Sequence, residues 1–435
     1  MPTKIINGKV CLNTEINENI DILIKNGKCY LESPVNREKN EKYEIIDAAG
    51  SYILPGFIEL HTHGAGLFEF TMGKFQPETS SFDSSELLYA KELKRYANLR
   101  QSTGVTRIYL GTWAAPIERQ KFCFRQLKNY IKSSQNGKQG AFIAGGLLEG
   151  TFINPKNAGA QNPNFVFKPD ISLFDEINES GVIKLVNIVP DYGQDSYKLT
   201  EYCTKHGISV GAGHTDATLN QFTQAIQAGL KYCIHFLNGP IGHSYKIFEE
   251  GGAVEAVLSS NIYAEIIVDG VHVNPRYVRD VIYRKGHEKI LAVTDAMFLS
   301  QTQGISEFEI SGIKGKFSDD RKFVYVANKE RLTLFSSILT MDKAFSNLLS
   351  WLTIDIPGFW IRQHSALNLE QAILIASHCC SKNIADMIET RTNEDIRTGI
   401  IANEKLADII IADIAGQPGN YKLKIKQTFT HKQFK

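Results

Sequence analysis

Two histidines separated by one residue, His61 and His63, form the first arrangement in this chain that could do chemistry. In an extended strand alternate side chains point to one face, so both imidazoles can reach a single cation. Further along stand Glu149, His214 and His235, with Asn238 close behind, then Asp269 followed by His272, and finally Asp295. Imidazole and carboxylate ligands without a thiolate suit one or two divalent ions, zinc foremost and iron or another first-row metal next. A cation with an open position acidifies water and polarises a carbonyl. A nearby carboxylate must then take a proton and return it to a leaving group, and Asp295 is the candidate for that task. His272 is the candidate for polarising a substrate carbonyl and stabilising the oxyanion. Singly these residues say little: a lone histidine at a strand end is usually a hydrogen-bonded surface group, and a strand-end carboxylate often caps the next helix. Their coincidence says more, because burying two histidine pairs, a glutamate and an aspartate without a partner would be costly.

The elements that would carry them repeat. Eight short apolar runs fall at 57–63, 105–113, 142–149, 183–190, 208–214, 232–238, 262–269 and 290–295, and helical patterns such as 84–102, 118–132, 220–228 and 275–285 lie between them. Strand followed by helix, repeated, argues for parallel strands joined by crossovers. Eight units predict a closed α/β barrel of the (β/α)8, TIM-like kind, and the chemistry-bearing residues fall at or near the C-terminal ends of its strands, where such barrels place their sites. No G-x-G-x-x-G follows the first strand, which weakens a dinucleotide-binding reading.

The first fifty residues read as a small β module, with hairpin signals at Asn7-Gly8 and Asn26-Gly27. That is too little chain for a core of its own. The strand-like runs at 407–412 and 422–429 offer a partner, so residues 1–53 and 389–435 are expected to form one β-sandwich around a barrel spanning 54–388. Residues 66–85 read as an insertion-like loop after the first strand.

The chain has 435 residues, 48 basic and 47 acidic, with a net charge of +1, so no clustered basic face marks it as a nucleic-acid binder. Seven cysteines, scattered and never in a C-x-x-C pair, read as free thiols in a reducing compartment. Without a signal-peptide pattern or an apolar run of membrane-spanning length, the expectation is a cytoplasmic protein with no membrane partner.

The motifs also resemble a known family. L-P-G-F-I-E-L-H-T-H-G at 54–64 is similar to the first-strand signature of the amidohydrolase superfamily. L-E-G-T-F-I-N-P-K-N-A-G-A-Q-N-P-N-F at 148–165 resembles the third-strand loop of the N-acetylglucosamine-6-phosphate deacetylases, as do G-A-G-H-T-D-A-T at 211–218, H-F-L-N-G at 235–239, D-G-V-H-V at 269–273 and V-T-D-A-M at 293–297. The resemblance implies that Glu149, His214 and His235 bind a main metal and that His61 and His63 hold a second, in place of the one-metal arrangement of members lacking that pair. It implies Asp295 as acid and base, His272 on the acetyl carbonyl, and Ala160, Gln161, Asn238 and Gly239 around the sugar or its phosphate. It further implies a homodimer acting on a small amino sugar phosphate and releasing acetate. Three departures touch recognition. Gln161 stands where the family has histidine, Lys246 where it has a phosphate-facing arginine, and Phe335-Ser336 within a segment where it has small residues. A lysine offers a point charge without the bidentate fork. Alternatives are therefore a deacetylase of another or unphosphorylated N-acetyl amino sugar, a different amidohydrolase chemistry, and a non-catalytic scaffold of the same fold.

Overall fold

The computed structural model describes residues 2–34, 43–238, 251–330, 332–392 and 398–434. Its centre is the eight-stranded parallel sheet that the apolar runs predict. In chain order the strands are β1 (Phe57–Thr62), β2 (Val105–Gly111), β3 (Phe142–Phe152), β4 (Ile183–Ile188), β5 (Ser209–Ala212), β6 (Tyr232–Cys233), β7 (Tyr263–Ile267) and β8 (Ile290–Val293). Each pairs with the next in parallel. A bridge between Thr62 and Ala296 closes the ring, with the Asp295 amide donating to the His61 carbonyl at 2.9 Å. The runs are apolar on both faces because one face fills the barrel and the other receives helices.

The helices start and stop where local chemistry dictates. Leu219–Ala228 begins in a capping box between Thr218 and Gln221 and ends at Gly229, whose φ is 119°. Pro275–Lys285 has proline at its first position behind the Asn274 cap.

Both chain ends meet in a β-sandwich. One sheet holds Lys28–Glu32, Asp21–Lys25, Thr3–Ile6 and Glu44–Asp47 in that order, and the other holds Asn420–Phe429, Ile409–Gln417, Tyr52–Pro55, Lys9–Cys11 and Ile16–Asn17. Ile5, Ile22, Ile24 and Ile53 from the front pack with Ala407, Ile409 and Ile411 from the back. Asn26-Gly27 closes a two-residue hairpin, with Lys25 opposite Lys28 and φ of 52° and 73°. Asn7-Gly8 does not form the expected hairpin. The strands on either side of it lie in different sheets, and a Cβ on Gly8 would meet the Ile53 side chain at 2.4 Å. Tertiary packing, not a turn, calls for glycine there.

The stretch read as a loop at 66–85 is also different. Gly64–Ala65, Phe68–Glu69, Gly73–Gln76 and Ser81–Asp83 form a four-stranded antiparallel sheet. A second added sheet, Glu307–Ile310, Ile313–Phe317 and Val324–Val326, follows β8. The two share an apolar cluster in which Phe75, Phe298, Phe308 and Trp113 meet. All seven cysteines are free and buried. Among the described residues no helix is long and apolar enough to cross a membrane.

Candidate metal centre

The C-terminal mouth of the barrel brings imidazoles and carboxylates from five strands into one buried cluster. β1 supplies His61 and His63, which its pleat turns the same way, and β3 supplies Glu149. The residues after β5, β6 and β8 supply His214, His235 and Asp295. Glu149 sits between two groups. Its Oε2 lies 3.3 Å from His61 Nε2 and 3.2 Å from His63 Nε2, while Oε1 lies 3.3 Å from His235 Nε2 and 3.4 Å from His214 Nε2. In each trio, His61–His63–Glu149 and Glu149–His214–His235, the possible ligand atoms all fall within 4.8 Å of one another. Asp295 Oδ1 is 3.0 Å from His63 Nε2 and 3.6 Å from His61 Nε2.

The backbone is bent to make this possible. His214, His235 and Asp295 have φ of 59°, 33° and 48°, a region that residues with a side chain rarely adopt. Gly150 has φ 84°, and a Cβ there would stand 2.4 Å from the Ala114 amide nitrogen. The third strand can therefore pass close to the second immediately after presenting Glu149.

Three of the four rings are held from behind. His63 Nδ1 donates to the Gly111 carbonyl at 3.1 Å and His214 Nδ1 to the Asn157 carbonyl at 2.9 Å. His61 Nδ1 instead donates to Glu265 at 3.0 Å. Trp113 stacks on His63 with ring centroids 4.4 Å apart and donates from Nε1 to Glu69 at 2.9 Å. Glu265, Glu69 and Trp113 escape the sequence reading, although a carboxylate inside the apolar run of β7 was a visible signal.

The cluster's charge favours a cation. Burial opposes charging His61, yet Glu149, Glu265 and Asp295 carry its pKa well above the ordinary value. Burial is likewise overcome at His63, which Asp295 and Glu149 raise to about 10. Glu149 is held well below the carboxylate range, with His61, His214 and His235 outweighing its burial. His61 and His63 of Asp295's surroundings lower it in the same way. Carboxylates that draw protons onto buried imidazoles mark a place for positive charge, and metal binding displaces such protons. The donor set, its spacing and its charge therefore fit a divalent ion, with Glu149 placed to serve both trios.

Above the cluster lies a cavity of about 670 Å³. Of the sequence-predicted residues His63, Glu149, Ala160, Gln161, His214, His235, Asn238, Asp295 and Ser336 line it. Ser336 donates from Oγ to Asp295 Oδ1 at 3.2 Å. The Gln161 amide is engaged at both ends, accepting from the Ala114 amide at 2.7 Å and donating to Glu149 at 3.4 Å. It frames Glu149 as well as facing the cavity. Phe335 does not line the cavity. It is fully buried and packs edge-on against Trp113 and Phe308, so its bulk stabilises the wall from behind. His272 is not part of the lining either. Asp269 accepts from its Nδ1 at 2.6 Å, and its buried Nε2 has no partner among the described residues. Gly239 and Lys246 lie outside the described residues. Lys156 and Lys329 line the rim, and Lys329 Nζ donates to the Gly159 carbonyl at 2.8 Å.

No protein-family model matches the chain. The barrel-and-sandwich fold is shared with solved proteins of the amidohydrolase superfamily. Enamidase, a solved member of that superfamily, matches with a TM-score of 0.58 at 15% identity over 99% of this chain and 94% of its own. More similar still are solved N-acetylglucosamine-6-phosphate deacetylases. That of Pasteurella multocida has a TM-score of 0.79 at 20% identity, covering 100% of this chain and 99% of its own. A variant of the Mycobacterium smegmatis enzyme, in complex with N-acetyl-D-glucosamine-6-phosphate, has a TM-score of 0.74 at 19% identity over 97% and 99%. Curated homologues carry the same name. The Bacillus subtilis (strain 168) deacetylase is 26% identical over 292 residues, 66% of this chain and 69% of its own, and that of Lysinibacillus sphaericus is 24% identical over 400 residues, 90% of each.

Proposed function

We propose that this chain is a metal-dependent deacetylase that hydrolyses the N-acetyl group of N-acetylglucosamine 6-phosphate to glucosamine 6-phosphate and acetate. The observation that carries the reading is the convergence of both histidine pairs and Glu149 beside Asp295, at the floor of a cavity large enough for a hexosamine phosphate. Glu149, His214 and His235 would hold one divalent ion, and His61 and His63, with Glu149 between, a second. When bound, such an ion acidifies water and polarises the acyl carbonyl.

The chain's own groups do the rest. Asp295, buried and accepting from Ser336, takes a proton at a carboxylate oxygen and hands it to the departing amine nitrogen. We assign His272 the contact with the acyl oxygen, through the Nε2 atom that has no partner among the described residues. Ala160, Asn238 and Ser336 face the sugar. Among the described residues the charged groups lining the cavity outside the metal cluster are Lys156 and Lys329, both cations, which supports an anionic substrate. Seven unpaired thiols support a cytoplasmic location. The family resemblance supports a homodimer, which light scattering on the eluting protein would test.

The deciding experiment is acetate release from a panel of phosphorylated and free N-acetyl hexosamines, with and without chelator. Release from N-acetylglucosamine 6-phosphate, abolished by chelation, is expected. Preference for the free sugar would transfer the assignment to an unphosphorylated substrate, and no release from any member would remove it. Asp295→Asn is expected to lower turnover by about 10²–10⁴-fold with metal content unchanged. Unchanged turnover would discard Asp295 as the proton carrier.

A further inference from the structure

Glu265 has no evident reason to be charged. It lies in β7 (Tyr263–Ile267), inside the barrel wall, with Ala264, Ile266, Ile267 and Val268 around it in sequence all buried, and it is itself fully buried. An uncompensated carboxylate in such a strand is costly. One oxygen explains it. Glu265 Oε2 accepts from His61 Nδ1 at 3.0 Å and from the backbone amide of His235 at 3.2 Å. Those two residues belong to different trios.

We infer that Glu265 is the positioning residue that fixes both halves of the metal centre, and that the second ion, at His61, His63 and Glu149, depends on its negative charge. The inference rests on the metal-centre reading above. Three features support it. The bond at Nδ1 fixes the tautomer of His61 and leaves Nε2 as the ligand atom, facing Glu149 and Asp295 at 3.3 and 3.6 Å. His63 and His214 lean on neutral backbone carbonyls, and His235 Nδ1 has no partner among the described residues, so His61 is the imidazole whose donor strength an anion raises. Finally, the same oxygen holds the amide of His235, a residue at φ 33°, a backbone conformation that needs an external anchor. A single carboxylate thus orients a ring in one trio and the backbone of a ligand in the other.

The test is metal titration of the full chain, wild type against Glu265→Gln and Glu265→Ala, with bound metal measured by elemental analysis and affinities by competition with a graded chelator. Zinc and cobalt serve as the probes. Wild type is expected to bind two equivalents. Glu265→Ala should weaken the second by about 10–100-fold, since loss of such an outer partner costs about that much, and weaken the first to a smaller degree through the lost anchor of the His235 amide. Glu265→Gln keeps an acceptor of the same shape and removes the charge, so its second affinity should fall between the two. The visible spectrum of the cobalt-loaded protein reports the change without any turnover. If both variants bind two equivalents with wild-type affinity, the role of Glu265 is overturned and the metal centre stands. If wild type binds no ion, the metal-centre reading falls and this one with it. Should Glu265→Ala fail to fold, Glu265→Gln decides alone, and an unchanged second affinity overturns the proposal.

Discussion

Two residues before His61, β1 carries Glu59, which forms a fully buried pair with Arg100 from the helix Glu86–Gln101. Arg100 Nη2 reaches Glu59 Oε2 at 2.5 Å, and Thr294 donates to the same carboxylate from Oγ1 at 2.9 Å and from its amide at 3.3 Å. Thr294 is the residue before Asp295, so this pair ties the first and last barrel strands directly beneath the site. Replacing Arg100 with Met leaves a buried carboxylate with no cation. Breaking a buried pair in this way costs about 3–5 kcal/mol when the charge is trapped. Here the carboxyl has a cheaper route, because it can take up a proton. Its ordinary pKa is 4.5, and burial raises it even beside Arg100. Neutralising it at pH 7 therefore costs at most about 3.4 kcal/mol, at about 1.36 kcal/mol per pH unit, and at pH 5 at most about 0.7 kcal/mol. Arg100→Met is thus expected to destabilise by about 2–3 kcal/mol at pH 7 and to lose most of that penalty by pH 5. The double variant Arg100→Met with Glu59→Gln keeps an acceptor for Thr294 and carries no charge, so it should be more stable than the single one at pH 7, with a penalty independent of pH. Among the described residues Arg100 Nε and Nη1 have no partner, which makes recovery in the neutral double variant more complete. Urea unfolding, followed by tryptophan fluorescence at pH 5, 6 and 7, measures all of this. A single-variant penalty that is flat in pH, or a double variant no more stable than the single, would refute the reasoning.

Two further perturbations probe other buried carboxylates. Trp113→Phe keeps a ring against His63 but removes the donor to buried Glu69, and should cost about 1–3 kcal/mol in the same unfolding assay; no loss would show that Glu69 does not depend on Trp113. Asp280, midway along the helix Pro275–Lys285, accepts from the amides of Phe359, Trp360 and Ile361 and from His364, and these outweigh its burial and hold its pKa below 3.8. A depressed carboxylate contributes stability that is present above the unfolded pKa and lost as pH falls through the folded one. Asp280→Asn should therefore destabilise at pH 7 and flatten the acid limb of a stability profile below about pH 4; an acid limb identical to wild type would discard that assignment.

Much of the fold was legible because its signals are local and repeated. Every barrel strand is a short apolar run, since a closed parallel barrel buries both faces, and helix starts such as Thr218 with Gln221 announce themselves chemically. The added sheets were not legible for the opposite reason. Strands such as Gly64–Ala65 and Phe68–Glu69 are two residues long, too short for any alternation to show, and their register comes from packing around Phe75 and Phe298. Asn7-Gly8 misled because a turn dipeptide says nothing about whether the flanking strands share a sheet.

The site divides in the same way. Its imidazoles and carboxylates were visible as residue types at strand ends, but what fixes them was not, because support comes from residues distant in sequence and from backbone shape. His214, His235, Leu237, Asp295 and Ser336 all have positive φ, and none is a glycine or asparagine whose presence would have announced the bend. Backbone strain of this kind costs about 1–3 kcal/mol per residue and persists only where the surroundings over-determine it. The surroundings here are identifiable. The Asp295 amide donates to the His61 carbonyl, the His63 amide to the Ala296 carbonyl, and the Ser337 amide to the Asp295 carbonyl, so the bend at the end of β8 is clamped between the first strand and the segment carrying Ser336. Barrel closure and site assembly are therefore one event. The hydrogen bonds that join the first strand to the last are the ones that set Asp295 against His61 and His63, and a chain that failed to close would have the right residues with no carboxylate set against those imidazoles.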